Sequence, residues 1–479
     1  MSEPFPAGQV DGAEFAQAWR AFEDGQGGLR VKAALCRTLG EHPEALTAEH
    51  APSYLRLLRD IEVGPDQISS AGWRLLAGDA TLFGDADADP DAVARRLEEH
   101  DLARVLLSEA PVDVYAAERP LTALRRRLLF SGAWRGLPRL TEALRRQAVL
   151  NQGAWLIEDD ERARLDQAAH SEVRALYFAS AAGATQRPDL ADQVTRAVAE
   201  QYENWPYPQW TRLSVRAPRT LADDIAELDP DGPQGFPPHP QILIAGCGTG
   251  RHAASVALRY PAARITAIDI SEASLAYART RCQALGILGV EFLRLDIHRL
   301  ADLGRRFDAI SCAGVLHHLP DPERGWAALV EALNPGGVLH IMVYSKLCRL
   351  RVQGLRTALG GLVDGPLDGD RLREIRRRII ERFPERIPLT RDFYTLTGVH
   401  DLLAHRHEDP FDVLRIARAI AAFDLEFLGF GVSHAATRRR YLEEFPQDPH
   451  FRDFRSWSAF EKNHPYAFAG MYDFWCRRR

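Results

Sequence analysis

The sequence predicts an α/β domain with a seven-stranded, mostly parallel sheet, preceded by an all-helical N-terminal domain. Up to about residue 195, apolar residues recur at the three- and four-residue spacing of amphipathic helices. Prolines then cluster near residue 235. Beyond them, short apolar runs alternate with segments long enough for helices, which is the pattern of a parallel sheet with helical crossovers.

The N-terminal part is expected to consist of short helices. Tyr54, Leu55, Leu57, Leu58 and Ile61 share one helical face. Glycine- and proline-containing breakers at 25–28 and 85–90 divide the stretch. No clean repeat of about 34 or about 40 residues is found, so a bundle or a degenerate array of helix pairs is predicted.

An aromatic, proline-containing connector follows. Pro206 and Pro208 interrupt the segment from 201 to 210, and Pro233, Pro237, Pro238 and Pro240 make a stiff linker. We therefore expect a helical domain over residues 1–200, a connector and lid over 201–240, and the α/β domain over 241–479.

The α/β domain has five strand candidates in its first half. A helical insertion is expected over about 346–422 and a second insertion over 433–465. Leu425–Phe430 and Met471–Trp475 are short strand candidates that complete the sheet as an antiparallel edge. The five earlier candidates are Ile242–Ala245, Ile265–Ile268, Val290–Leu295, Ala309–Cys312 and Val338–Val343.

Composition limits the classes of function. The 479 residues carry 60 basic and 66 acidic side chains, a net charge of −6, which gives no overall attraction to nucleic acid or anionic lipid. Neither a signal peptide nor an apolar run of membrane-spanning length is seen, so a soluble, cytoplasmic protein is expected. The six cysteines lack metal-ligand spacing, and no metal is expected.

A glycine loop, Gly246-Cys247-Gly248-Thr249-Gly250, joins the first strand to a helix. Glycines allow a sharp turn and close approach to a ligand, with the amides of the helix N-terminus facing it. The sixth position is Arg251 rather than glycine, which excludes a dinucleotide fingerprint, and no Gly-Lys-Ser/Thr follows, which excludes a P-loop. The loop therefore predicts a different nucleotide-like ligand.

Two carboxylates follow the next two strands. Asp269 ends the second strand, where a carboxylate can accept hydrogen bonds from both hydroxyls of a ribose. Asp296 ends the third strand, where it can accept a hydrogen bond from the exocyclic amine of an adenine. Ile270 and Ile297 would be apolar walls for the ring. The loop and the two acids together predict a nucleoside site.

These motifs carry a resemblance to a known family. The run from Ile242 to Tyr344 resembles the Rossmann-like, class I S-adenosylmethionine-dependent methyltransferases over about a fifth of the chain, in six ordered motifs that include Leu316-His317-His318-Leu319 and Asn334-Pro335-Gly336-Gly337. The resemblance implies S-adenosylmethionine as cofactor, held by Gly246, Cys247, Gly248, Gly250, Asp269, Ile270, Asp296, Ile297 and Ala313. One position departs from the family pattern. Many members have an acidic residue there, which would hold the cofactor's amino group, but this chain has Ile244.

The flanks resemble a narrower group, bacterial methyltransferases that sometimes carry tetratricopeptide repeats. The segments concerned are 144–151, 201–210, 392–394 and 468–475. This similarity supports the reaction class and leaves the acceptor open.

Several residues are candidates for the acceptor side of the site. His317 and His318 follow the fourth strand and are candidate general bases, or they simply pack and cap a loop. Tyr207 and Trp210 form a lid, or they fasten the helical domain to the sheet. Tyr394 and His400 lie in the insertion, where they line an acceptor pocket or serve in packing.

Methyl transfer from S-adenosylmethionine to a small-molecule acceptor is the favoured function. The alternatives are a protein or RNA acceptor held by the helical domain, and a non-catalytic module that binds S-adenosylmethionine and a protein partner. Nucleic acid is disfavoured as a partner by the acidic balance, and a membrane is not expected as one.

Overall fold

A computed structural model describes residues 12–83, 89–166, 174, 176–178, 192–214, 216–230, 232, 235–365, 367–384, 391–432, 435–468 and 470–479. Residues 85–88 of the predicted breaker at 85–90 and the linker proline Pro233 lie outside these residues. Within the described N-terminal part the elements are short helices, in agreement with the prediction: α1 Gly12–Glu23, α2 Leu29–Glu41, α3 Ala51–Arg59, α4 Ser69–Ala77, α5 Ala80–Phe83, α6 Pro90–Glu99, α7 Asp101–Glu109, α8 Tyr115–Ser131, α9 Pro138–Leu150 and α10 Asp159–Leu165.

Two helices occupy parts of the predicted connector, and the first of them begins before it. They are α11, Gln193–Asn204, and α12, Leu221–Leu228. Asp192 and Thr220 cap their N-termini through side-chain oxygens that accept backbone N–H groups. Between them, residues 205–214 form neither helix nor strand, and Trp210 in this segment donates to the Thr249 carbonyl beside β1.

The C-terminal part is a seven-stranded sheet, which confirms the predicted fold class. Its order is β3-β2-β1-β4-β5-β7-β6, and the first five strands run parallel. The strands are β1 Gln241–Ala245, β2 Arg264–Asp269, β3 Val290–Arg294, β4 Phe307–Ala313, β5 Leu333–Tyr344, β6 Leu425–Phe430 and β7 Met471–Arg478.

The antiparallel strand lies one place inside the edge. β7 pairs antiparallel with β5 over seven residue pairs, from Val338 with Arg477 to Tyr344 with Met471. β6 then pairs antiparallel with β7 and forms the outer edge. The last segment of the chain is therefore inserted between two earlier strands.

Successive residues of a strand point to opposite sides of the sheet, so apolar side chains lie on both faces, and helices cover both. Ile242 and Ile244 belong to the core on one face, and Leu243 and Ala245 to the core on the other. The helices of this part are α13 Arg251–Arg259, α14 Glu272–Ala284, α15 Pro322–Ala332, α16 Lys346–Leu359, α17 Gly369–Arg382, α18 Leu396–Leu403, α19 Val413–Ala422, α20 Ala435–Glu444 and α21 Phe454–Asn463.

The insertion that contains α17 docks against the N-terminal helices. Arg376 on α17 is fully buried, and its Nη2 donates to both carboxylate oxygens of Glu118 on α8, at 2.8 and 2.9 Å. Arg373 Nε donates to the Gly153 carbonyl at 2.7 Å. The insertion and the helical part thus form one wall facing the carboxyl ends of the parallel strands. No helix among the described residues is both long and apolar enough to traverse a bilayer.

Candidate functional site

The carboxyl ends of β1, β2 and β3 are joined directly by backbone hydrogen bonds. Gly246 N and Cys247 N both donate to the Ile268 carbonyl at 2.9 Å, and Leu295 N donates to the Asp269 carbonyl at 3.0 Å. These bonds bring the glycine loop and the segments that follow β2 and β3 to one edge of the sheet. A crevice at this edge is the usual ligand site of open α/β sheets.

Asp269 is oriented by the glycine loop itself. Its Oδ2 accepts the Gly248 N–H at 2.7 Å and its Oδ1 accepts the Ser271 N–H at 2.9 Å. Burial raises the pKa of this carboxyl above its ordinary value, against the opposing effect of those backbone bonds. Each oxygen keeps a lone pair, so the carboxylate can accept two further hydrogen bonds from a ligand.

Asp296 begins a short 3-10 helix after β3. Its Oδ1 accepts the His298 N–H at 2.9 Å and lies 3.0 Å from His298 Nδ1. Burial opposes ionisation, but these bonds from His298 outweigh it and hold the pKa of Asp296 below its usual value. The acid is therefore ionised, in a fixed orientation, beside the buried Ile297 side chain.

A cavity of about 1680 Å³ opens at this edge and brings together most of the predicted site residues. Its walls come from the strand ends, the connector, the insertion and the N-terminal helices. The predicted residues that line it are Gly246, Cys247, Gly248, Asp269, Ile270, Asp296, Ile297, Ala313, Tyr207 and His318.

The other predicted residues lie behind the cavity wall. Gly250 packs against Ala278. His317 is completely buried, and its Nδ1 accepts the Tyr344 N–H at 3.2 Å. Tyr394 belongs to the apolar core of the insertion, and His400 stacks on Trp205 with 5.9 Å between ring centroids. Among the described residues no three His, Cys, Asp or Glu side chains are grouped as a metal site.

The two connector aromatics have different positions. Trp210 is buried, and its Nε1 donates to the Thr249 carbonyl at 2.9 Å, which fastens the connector to the glycine loop. Tyr207 lines the cavity, and its hydroxyl donates to Asp392 Oδ1 at 2.7 Å. The Tyr207 carbonyl also lies 3.0 Å from where a Cβ at Gly248 would be, so the connector covers the loop closely.

His318 is held in one orientation. Its Nδ1 bonds the His407 carbonyl at 2.9 Å, and its ring stacks on His405 with centroids 3.6 Å apart. A carbonyl only accepts, so Nδ1 carries the proton and Nε2 the lone pair. Burial lowers the pKa of His318 to about 3.

A polar cluster that no sequence pattern indicates also lines the cavity. Asp401 is buried there on α18, with Tyr202 of α11 and Tyr344 at the end of β5. The Tyr202 hydroxyl donates to Asp401 Oδ1 at 2.9 Å. Asp401 directly follows His400, the residue that the sequence favoured, but neighbouring helix positions face about 100° apart, and only the helix's orientation decides which one reaches the cavity.

Comparison with known proteins gives a match for the nucleoside-site region. Residues 242–337 match the family model described as "Methyltransferase domain". An uncharacterized protein of Synechococcus sp. is 36% identical over 258 residues, 50% of this chain and 61% of that protein. Trans-aconitate 2-methyltransferase of Deinococcus radiodurans is 35% identical over 122 residues, 26% of this chain and 43% of that enzyme. Ubiquinone biosynthesis O-methyltransferase of Alkalilimnicola ehrlichii is 36% identical over 110 residues, 23% and 42% of the two chains.

The chain covers 61% or less of the length of each of these relatives. The matched region begins in β1, contains the glycine loop, Asp269 and Asp296, and ends within β5. It is therefore a Rossmann-like methyltransferase domain, and S-adenosylmethionine is its cofactor.

Proposed function

We propose that this protein transfers a methyl group from S-adenosylmethionine to a small-molecule acceptor. The observation that carries the proposal is that one cavity of about 1680 Å³ reaches both the nucleoside-site residues and a separate polar cluster around Asp401. Pockets for a single drug-sized ligand measure about 300 to 1000 Å³, so the cavity has room for the cofactor and a second small molecule.

The residues on the cavity wall fit the cofactor. Asp269 has lone pairs left for the ribose hydroxyls, Asp296 is ionised and suited to an amine, and Ile270 and Ile297 are apolar neighbours for an adenine ring. When bound, the cofactor supplies an electrophilic methyl group on a sulfonium. The chain's own residues then have to align the acceptor and exclude water.

The position of Ile244 leaves the cofactor's amino group without the acidic partner found in many family members. Ile244 is buried in the sheet and lines the cavity. The ribose and adenine contacts do not depend on this position, so the proposal rests on Asp269 and Asp296 instead.

The relatives' names support a small acceptor. Trans-aconitate and ubiquinone biosynthesis appear in the names of two matched enzymes, and one name specifies an O-methyltransferase. We further propose, from the flanking segments, that the chain belongs to the bacterial methyltransferases that sometimes carry tetratricopeptide repeats.

Cofactor binding is tested by replacing Asp269. The Asp269→Asn variant keeps the shape of the side chain but loses the charge that a ribose diol would use, and we expect at least a tenfold loss of S-adenosylmethionine affinity in calorimetry, or about 1.4 kcal/mol. Asp302→Asn is the matched control, because Asp302 lies in the 3-10 helix after β3, is exposed and pairs with Arg299. Equal affinities in all three proteins would refute the role of Asp269.

The acceptor class is tested with methyl-labelled cofactor and a bacterial lysate separated into small-molecule, protein and RNA fractions. We expect label in the small-molecule fraction with the wild-type chain and much less with Asp269→Asn. Label in protein or RNA alone would replace the proposal with the macromolecular alternative.

A further inference from the structure

The polar cluster on the acceptor side of the cavity is built around one carboxylate. Asp401 is 7% exposed and lines the cavity. Tyr202 Oη donates to its Oδ1 at 2.9 Å, and Tyr344 Oη lies 3.5 Å from its Oδ2. A carboxylate has about four lone-pair sites, so both oxygens can still accept from a ligand in the cavity.

The hydrogen bonds of this cluster all point towards Asp401. His405 Nδ1 accepts the His407 N–H at 3.2 Å, so the neutral ring carries its proton on Nε2. That Nε2 lies 3.2 Å from the Tyr202 hydroxyl, to which it donates. Tyr202 then has its own proton free to donate to Asp401. The relay from His405 through Tyr202 makes Asp401 the terminal acceptor.

The charges around Asp401 favour proton uptake. Asp392 and Glu408 are the neighbouring acidic residues, and Arg349 is the neighbouring positively charged residue. Arg349 is already paired with Glu408. Burial first, and then the charge of Asp392, raises the pKa of Asp401 to about 7, against the lowering effects of Tyr202 and Arg349.

The position of the cluster matches the place where an acceptor must sit. Tyr344 is the last residue of β5, and Ala313, the last residue of β4, pairs with Met342 two positions earlier. Ala313 and Gly314 line the same cavity. Asp401 therefore faces the ends of β4 and β5, next to the nucleoside-site residues at the ends of β1, β2 and β3.

We propose that Asp401 is the general base of the reaction and that the acceptor presents a hydroxyl group to it. This inference rests on the proposed methyl transfer. The acceptor O–H bond breaks and its proton passes to an Asp401 oxygen. The acceptor oxygen donates an electron pair to the methyl carbon, and the C–S bonding pair stays on sulfur, so the sulfonium becomes a neutral thioether.

His317 and His318 are less suited to this role. His317 lies behind the cavity wall, and His318, although on the wall, takes up a proton only near pH 3. A general base works best when its pKa is near the working pH, which Asp401 satisfies.

The experiment compares two probe acceptors with the full-length chain at about pH 8: 4-methoxyphenol, which like tyrosine is un-ionised there, and 4-nitrophenol, which is largely ionised. For Asp401→Asn we expect a loss of about 100-fold or more with 4-methoxyphenol and a loss of only a few-fold with 4-nitrophenol, which needs no base. Glu461→Gln is the matched control. Glu461 is also a buried acid that accepts two hydroxyl groups, from Ser345 and Tyr472, both at 2.6 Å, but it does not line the cavity.

The pH dependence supplies a second readout. With 4-methoxyphenol, kcat/KM of the wild-type chain should rise with pH and level off above about 7. Tyr202→Phe removes a hydrogen bond that lowers the pKa of Asp401, so the profile should move to higher pH. A structural role alone would not move it.

Each outcome decides a different point. Equal losses with both phenols in Asp401→Asn, or an unmoved pH profile in Tyr202→Phe, overturn the base assignment. Cofactor binding with methylation of lysate compounds but of neither phenol overturns the hydroxyl acceptor. Absence of cofactor binding overturns the proposed methyl transfer itself.

Discussion

Burial gives the carboxyl of Asp401 an effect on stability that can be measured without any substrate. Its pKa rises from the ordinary 3.8 to about 7 because of burial and the charge of Asp392. Between these values the folded chain binds a proton that the unfolded chain has lost. The stabilisation of the folded chain by this proton is therefore fully present below pH 4 and is lost as the pH rises through about 7. The difference corresponds to about 4 kcal/mol.

We accordingly expect Asp401→Asn to gain stability relative to the wild-type chain as the pH rises from about 5 to about 8, by up to about 3 kcal/mol, because the part of the effect below pH 5 lies outside this range. Urea unfolding of both proteins at the two pH values measures this, and the double difference cancels groups common to both. Parallel pH dependences in the two proteins would contradict the raised pKa.

Single residues differ in how far a sequence can predict them. The positions of Asp269 and Asp296 were predictable because each lies at the carboxyl end of a strand or close behind it, and the carboxyl ends of parallel strands share one edge. Both line the cavity. Tyr202 and Asp401 are 199 positions apart in sequence and meet through the docking of α11 against α18. No local pattern reports such a contact, which explains why the sequence favoured His400 instead.

The glycine loop can be tested as an element. Gly250 has a φ of 80°, and a Cβ there would lie 2.5 Å from Ala278 Cβ on α14. Gly250→Ala therefore combines backbone strain with a steric clash, and we expect a loss of about 2 to 4 kcal/mol in thermal or urea unfolding, with weakened cofactor binding.

Gly286→Ala is the control for that element. Gly286 has a similar φ of 66°, but a Cβ there would have no heavy atom within 4 Å. Only the strain remains, about 1 to 2 kcal/mol, and cofactor binding should be unchanged. Equal effects of the two changes would show that the contact between the loop and α14 is unimportant.

The positions of the strands along the chain were easier to predict than the order of the strands in the sheet. Alternation of short apolar runs with helices located β1 to β4 within two residues at each end, and it located the second half of β5. The same pattern found β6 and β7 but not the insertion of β7 between β5 and β6. Pairing order depends on long-range packing, since the register of β7 is set by β5 about 130 residues earlier.

In the whole molecule, the two sides of the cavity belong to different parts of the chain. The glycine loop, Asp269 and Asp296 stand on the sheet, whereas Asp401 stands on the insertion, which is held against the N-terminal helices. The sequence predicted an insertion and a helical domain as separate pieces. Their contact depends on pairs such as Arg376 with Glu118, 258 positions apart, which no spacing rule detects.

That contact leads to the prediction that cofactor binding and methyl transfer depend on different parts of the chain. Arg376→Met leaves the buried Glu118 without its partner, which should cost about 3 to 5 kcal/mol and loosen the insertion. Since the cofactor residues stand on the sheet, we expect methyl transfer to fall far more than S-adenosylmethionine affinity. Arg162→Ala is the control, because its exposed pair with Asp370 joins the same two parts and should contribute at most about 1 kcal/mol. If Arg376→Met instead weakened cofactor binding as strongly as transfer, the cavity would have to be regarded as one cooperative unit rather than two sides held by separate elements.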